Sequence, residues 1–493
     1  MSSTLTHMPR PRPRAAGGAG PAGNRRLTLI LACLAQFMVV LDVSVVNVAL
    51  PAIGHGLHFS EADLQWVVNA YTVTFAGFML LGGRAADLLG RRRVFVAGLV
   101  LFALASLGGG LADGRVELIA ARAIQGLGAA VIAPASLSIL TTTFTEGPER
   151  NRAVGIWGAM GGAGGAAGVL LGGALTELSW RWILFINVPI GLIAAAFALT
   201  AIAESRRPGA TRGFDLAGAL SATIGLSLVV LGIVRTDQTG WGSAPTLVII
   251  LAGVALLGAF VLIEGRIAGS PLMPLRIWSS PTLRLANGIV LMLGAASFSM
   301  WFFLSLYLQE VRGDSPIVTG LAFLPMTICI VVASTVASRL VARIGSRPLL
   351  IVGMLALAGG LAWFTQLPVT GSFWTTMFPP SLLAATGIGL SFTPAAISGV
   401  AGVATHEAGL ASGLINTARM FGGALGLAVL ATLAASHTTA VRHAGSAPAA
   451  SLTSGFHLAF LIAAGLSLAG AGLAVALPSR AVARAPAAVS LDS

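Results

Sequence analysis

An all-α, polytopic membrane protein of about fourteen spans is predicted by three features of this 493-residue chain. Hydrophobic residues make up 56% and charged residues only 9%, with a mean hydropathy of +0.89, a balance foreign to soluble domains of this length. Apolar runs of roughly 18 to 28 residues recur along the chain, each long enough at about 1.5 Å per residue to cross a hydrocarbon layer of about 30 Å. The alternation expected of an outer-membrane barrel is absent.

The first 26 residues, with PRPRPR and a Gly/Ala/Pro run, carry no apolar period and read as a disordered basic tail. The next run, 27–50, exceeds a signal-peptide core and is interrupted by Asp42, so it reads as an uncleaved first helix. Further spans are expected near 64–82, 94–112, 117–140, 153–175, 182–203, 214–235, 245–263, 282–309, 318–338, 349–367, 373–402, 408–435 and 455–477. An even number places both termini on one face. The segments on that face are strongly positive and those on the other slightly negative, which predicts cytoplasmic termini.

A repeat is visible. GRAADLLGRRR at 83–93 is echoed by SRLVARIGSRP at 338–348, and Gly126, Gly128, Pro134, Ala135 by Gly387, Gly389, Pro394, Ala395. The economical division is a six-helix half at 27–203, two inserted helices with their loops at 204–281, a second six-helix half at 282–477 and a tail at 478–493. Repeated halves in a membrane bundle point to transport.

The net charge of +12 is carried entirely by arginine, mostly between apolar runs, and reads as topology, not nucleic-acid binding. The two cysteines, Cys33 and Cys329, fall in distant spans and imply neither disulfide nor metal cluster. A phosphate-binding loop with its lysine is missing because the chain has no lysine, and neither metal-ligand spacing nor a catalytic set is present. No cofactor is expected, and the seven histidines receive no role.

Asp42 is the first functional candidate, because a carboxylate about 12 Å inside a span costs about 2.5 to 3.5 kcal/mol to insert and normally faces a cavity or partner. Arg122 and Gln125 lie at similar depth in the fourth span. One reading snorkels Arg122 to the outer headgroups. The other pairs it with Asp42, directly or through Gln125, so that separating the two loads a proton and reuniting them releases it.

Between spans two and three, Gly83 and Gly90 permit a tight turn, Asp87 can cap a helix or pair with arginine, and Arg91, Arg92 and Arg93 anchor the inner face. A plain positive-inside loop explains the same residues. Span five carries small residues at nearly every third or fourth position, Gly164, Gly168, Gly172 and Gly173 among them, which permits close helix packing with or without transport. A candidate substrate cavity comprises Gln36, Asn47, Phe298, Trp301, Ser305 and Arg419. Two roles are open for Arg419, about 16 Å into its span: a transport function or a structural interhelical bond. The aromatic stripe of span nine is lipid contact, core, or the wall of a pocket for flat compounds.

Gly83, Asp87, Gly90, Arg91 and Arg92 resemble the signature loop of the major facilitator superfamily, G-x-x-x-D-x-x-G-R-[KR]. LDVSVVNVALP at 41–51, RAIQGLGAA at 122–130, WRWILFINVPIG at 180–191, YLQEVRGDSPIVTGLAFLP at 307–325 and GLASGLINTARMFGGALG at 409–426 are similar to its fourteen-span drug:proton antiporter branch. The resemblance implies the major facilitator fold and a coupling role for Asp42 and Arg122. It also implies that Asp87 engages the inner end of a helix in the other half, near Glu407 to Gly409. The branch's Gly-Pro-x-x-Gly-Gly export motif is matched by Gly168, Gly172 and Gly173, with Val169 in place of proline.

The expected function is proton-coupled export of amphipathic small molecules by alternating access across the plasma membrane, in a monomer whose partners are substrate, protons and lipid, with no nucleic acid. An importer or facilitator of the same fold is the alternative, and a non-transporting membrane sensor is a further one.

Overall fold

The computed structural model describes residues 24–145, 148–205, 215–267, 271, 273, 275–401, 403 and 408–478. Most of both expected tails, and Glu407, lie outside them. Fourteen described helices are long and apolar enough to cross a membrane. The first half holds α1 (Arg25–Leu57), α2 (Trp66–Leu89), α3 (Arg91–Gly110), α4 (Arg115–Thr143), α5 (Pro148–Leu178) and α6 (Asn187–Ala201). Two helices follow, α7 (Leu216–Thr239) and α8 (Ala244–Leu262). The second half holds α9 (Pro281–Leu306), α10 (Pro316–Ile344), α11 (Ser346–Phe364), α12 (Phe378–Val400), α13 (Ala408–His443) and α14 (Pro448–Val475).

Short polar side chains start these helices. Asn24, Asp215, Ser243, Ser280 and Ser315 each accept a hydrogen bond from a first-turn backbone N–H, satisfying a donor that the helix leaves orphaned. Proline occupies the opening turn of α8, α9, α10 and α14, where its missing N–H costs nothing.

The packing pairs repeat with an offset of eight helices. In the first half α1 packs on α5, α2 on α4, and α3 on α4 and α6; in the second, α9 packs on α13, α10 on α12, and α11 on α12 and α14. The repeated Gly-x-Gly explains part of this. A Cβ on Gly126 would strike Tyr71 and Thr74 of α2, and one on Gly128 would meet Phe102 of α3. In α12, Gly387 lies against Leu357 of α11 and Gly389 against Ile330 of α10. Both central helices thus sit within backbone distance of two neighbours.

The halves meet as α5 on α10 and α2 on α13, and α7 lies against both α2 and α13 along that second seam. One apolar core fills the first half around Met38, Phe75, Phe95 and Phe102. A second runs from the distal part of α1, between Leu41 and Leu57, across the seam into α9–α14. The halves therefore share a core at the face opposite the termini.

Candidate functional site

Asp42 sits on the core-facing stripe of α1, between Met38 and Val45–Val46, and is fully buried. Arg122 and Gln125, three residues apart on α4, project toward it together. Nη1 of Arg122 donates to Asp42 Oδ2 at 2.5 Å and to Gln125 Oε1 at 2.9 Å, and its Nε donates to the Val67 carbonyl at 3.0 Å. The other carboxylate oxygen accepts from Gln125 Nε2 at 3.1 Å and from Asn187 Nδ2 of α6 at 2.9 Å. Ser106 of α3 accepts from the same two amides, at 2.7 and 3.2 Å. The guanidinium lies 4.6 Å from the ring centre of Tyr71 on α2.

Arg122 is 1% exposed, so it turns inward and does not snorkel. A buried ion pair survives its desolvation cost only when its remaining hydrogen-bonding capacity is filled, and here three donors meet the carboxylate. Every member of the cluster belongs to the first half. Rocking the halves as rigid bodies leaves the pair intact; separating it requires α1 to move against α4 and α6.

Such a movement has a handle at the face opposite the termini. Gln309, just past α9, donates through Nε2 to the Val48 carbonyl of α1 at 2.8 Å, across the seam between the halves. Nearby, His55 Nε2 lies 2.9 Å from Glu310 Oε1, and the Ile317 N–H of α10 donates to Glu177 of α5 at 3.4 Å. Val48 is six residues beyond Asp42, about 9 Å along the helix.

The glycines of α5 serve both sides of this seam. Gly164, Gly168 and Gly172 lie against Val40, Leu41, Ser44 and Val45, the turns of α1 that carry Asp42, while Gly173 faces Ile317 of α10 and the Val169 carbonyl abuts Gly320. The α5–α10 contact extends from Gly173 back to Gly162, which meets Val331; a Cβ on Gly155, Gly158 or Gly161 would meet nothing within 4 Å among the described residues. Along the α5–α10 seam the halves are sealed at the opposite face and separate toward the terminal face, while at the second seam Gly413 of α13 still lies against Leu80 of α2. α5 runs unbroken, as expected with Val169 where a proline would bend it.

The loop after α2 is a staple within the first half. Gly90 adopts φ 113°, a backbone region that L side chains avoid, and a Cβ there would collide with Glu204. Asp87 pairs with Arg91 at 3.0 Å. Glu204 accepts from the Arg92 N–H at 3.2 Å and lies 3.6 Å from Arg93 Nε, while Arg92 Nη1 donates to the Leu199 and Ile202 carbonyls at the end of α6. Gly83 contacts Pro134. Of the stretch Glu407 to Gly409 expected near Asp87, Glu407 lies outside the described residues. Glu204→Ala is expected to cost about 1–2 kcal/mol of stability by leaving the start of α3 uncapped, read as a lowered Tm of the purified chain.

A family profile for the Major Facilitator Superfamily matches residues 32–427. The chain belongs to the major facilitator superfamily. It is 44% identical to the cephamycin export protein CmcT of Amycolatopsis lactamdurans, over 94% of this chain and 95% of that one. It is 40% identical to the puromycin resistance protein pur8 of Streptomyces alboniger, over 92% of each. Among solved structures, the inward-facing, unoccupied form of a bacterial homologue of the lysosomal transporter Spinster matches with a TM-score of 0.65 at 16% identity, covering 93% of this chain and 97% of that one. That likeness concerns the fold. The protein is accordingly a multi-pass membrane protein of a transporter superfamily.

Of the six residues expected in the major facilitator cavity, the structure brings two together. Arg419 of α13 lies 6.0 Å from the ring centre of Phe298 on α9 and 5.1 Å from that of Phe392 on α12. Its Nε is buried without a hydrogen-bond partner among the described residues. Trp301 is half-buried and stacks edge-on against Phe323 at 4.9 Å. Asn47 donates to its own helix at Val43, and Gln36 is half-buried with an unpartnered Oε1. Ser305 is a correction: it is fully buried and accepts from Gln309 at 3.3 Å, so it belongs to the seal, not to a cavity wall. Helical spacing relates Ser305 to Phe298, but the π-turn Tyr307–Val311 folds Gln309 back over it.

Asn187, Ser106 and Tyr71 were missed as site residues. Asn187 stands inside a motif already singled out, and a lone amide there was a usable signal; Ser106 and Tyr71 gave none, because span-buried serine and tyrosine are ordinary. Asn187→Leu is expected to lower uphill transport about tenfold at unchanged expression, by removing one of three donors to Asp42. Initial efflux rates normalised to membrane-inserted protein measure this.

Proposed function

We propose that the chain is a proton-coupled exporter of amphipathic small molecules, antibiotics among them, with its termini in the cytoplasm. The observation that carries this is a fully buried carboxylate whose three donors all come from one half, tied through its helix to the seal between the halves. The export names of the two relatives support the direction, and the positive terminal-face loops support the orientation.

In the arrangement described, the seal faces outward, the Asp42–Arg122 pair is closed and substrate reaches the cavity from the cytoplasm. Opening the outer seal releases Val48 from Gln309 and frees α1 to shift. Asp42 then leaves Arg122 and takes a proton from outside, because an isolated carboxylate is costly at that depth. Resealing restores the pair and discharges the proton inward. At a proton-motive force of about 150 mV each proton supplies roughly 3.5 kcal/mol, enough for a gradient of a few hundredfold in a neutral substrate at one-to-one coupling. The reading requires no resident cofactor and works in a monomer.

The test is accumulation of puromycin and of ethidium in cells with and without the chain, before and after a protonophore. Lower accumulation that the protonophore abolishes is the expected result. Raised accumulation would mark an importer, and unchanged accumulation of both would contradict the proposal.

A further inference from the structure

A cavity of about 360 Å³ lies in the terminal-face half of the bundle, where α7 bridges α2 and α13. Both halves and the inserted hairpin supply its walls: Gly77 from α2, Ala222 from α7, Phe260 from α8, Asn287 from α9, Thr417 and Phe421 from α13. None of the Asp42 cluster takes part. The α2 wall is open to close approach because Gly77 has no side chain; a Cβ there would strike Thr223.

Within this apolar surface stands an amide. Asn287 is 5% exposed, its Nδ2 donates to the Leu283 carbonyl at 2.8 Å, and its Oδ1 has no partner among the described residues. Thr417 Oγ1, on the facing helix, is likewise buried without one among the described residues. Buried polar atoms are ordinarily satisfied, so two such atoms on one cavity mark a place where a ligand completes the pairing. Asn287 Oδ1 can only accept, which requires an N–H or O–H on the occupant. Arg284, also on the lining and exposed at the start of α9, disfavours a fixed cation there. α8, which closes the far wall with Phe260, is almost wholly outward-facing.

We infer that this cavity is a lateral binding site for a neutral or weakly acidic amphiphile with an apolar, ring-sized body and one hydrogen-bond donor, taken from the cytoplasmic leaflet. The inserted hairpin then has a purpose: it converts the seam between α2 and α13 into a walled pocket. That the occupant is cargo in transit rests on the export reading; that the site binds it does not.

N-phenyl-1-naphthylamine, apolar with a single N–H, is the probe. Because Cys33 and Cys329 are the chain's two cysteines, a Cys33→Ser, Cys329→Ser background carrying Ala222→Cys reports on the cavity alone, with Ala418→Cys as a second reporter. The full chain in phosphatidylcholine nanodiscs is treated with N-ethylmaleimide, with and without probe. The probe is expected to slow modification saturably, and Asn287→Leu to raise its half-protecting concentration about tenfold. Modification that the probe leaves unchanged at either reporter overturns the site. So does modification already slow without probe and insensitive to it, the result if bilayer lipid fills the cavity. So does protection that Asn287→Leu does not weaken. No transport is measured, so failure of the export reading leaves this result standing.

Discussion

Asp42→Asn is expected to abolish uphill efflux, collapsing a substrate gradient of about a few hundredfold to none, while the chain still inserts and exchanges substrate. Asparagine keeps the volume of Asp42 and one oxygen for Arg122, Gln125 or Asn187, so the packing of α1 on α4 and α6 is retained. What is lost is the carboxylate proposed to carry the proton. The substitution also leaves Arg122 buried without its counter-charge, and about 3–5 kcal/mol of destabilisation is the scale for breaking such a pair. Tm and efflux measured on the same preparation separate the two effects, since Arg122→Gln with Asp42→Asn removes both charges and should recover stability without recovering coupling.

Gly173→Val is expected to reduce transport at least tenfold by a different route. Its Cβ would sit 2.7 Å from the Ile317 Cα and the Pro316 carbonyl of α10, backbone atoms that no rotamer change can move aside. The seam at the face opposite the termini must open to accept it. Spin labels at Ser179 and Ser315, placed in a cysteine-free background, should report longer distances in this variant than in the parent chain. Unchanged distances with normal transport would mean that the α5–α10 approach is not the seal.

The fourteen spans were legible in the sequence because nothing but a bilayer explains so many apolar runs of that length, and their ends shifted where capping residues, not hydropathy, decide them. α1 starts at Arg25, under the Asn24 cap, and runs on past Pro51 to Leu57. The Asp42–Arg122–Gln125 contact was one of two readings that depth left open, since residues at one level can partner each other while Arg122, near its helix end, could also snorkel to the headgroups. Asn187 and Glu204 were not, because their partners are set by how α6 lies on α1 and α3, a packing angle that no spacing along one helix records. Arg419 shows the same limit: its depth said that it needed company, while only the structure shows that Phe298 and Phe392 are part of that company. The place of α7 against α2 and α13 was equally invisible, since apolar pattern marks a helix as membrane-spanning without saying which seam it covers.

The most direct test of Asp42 as the proton carrier is proton movement during substrate flux in proteoliposomes, followed with an entrapped pH-sensitive dye. With the parent chain, an imposed substrate gradient should drive protons the opposite way, and Asp42→Asn should pass substrate with no proton signal. Proton flux through Asp42→Asn equal to that of the parent would contradict the account.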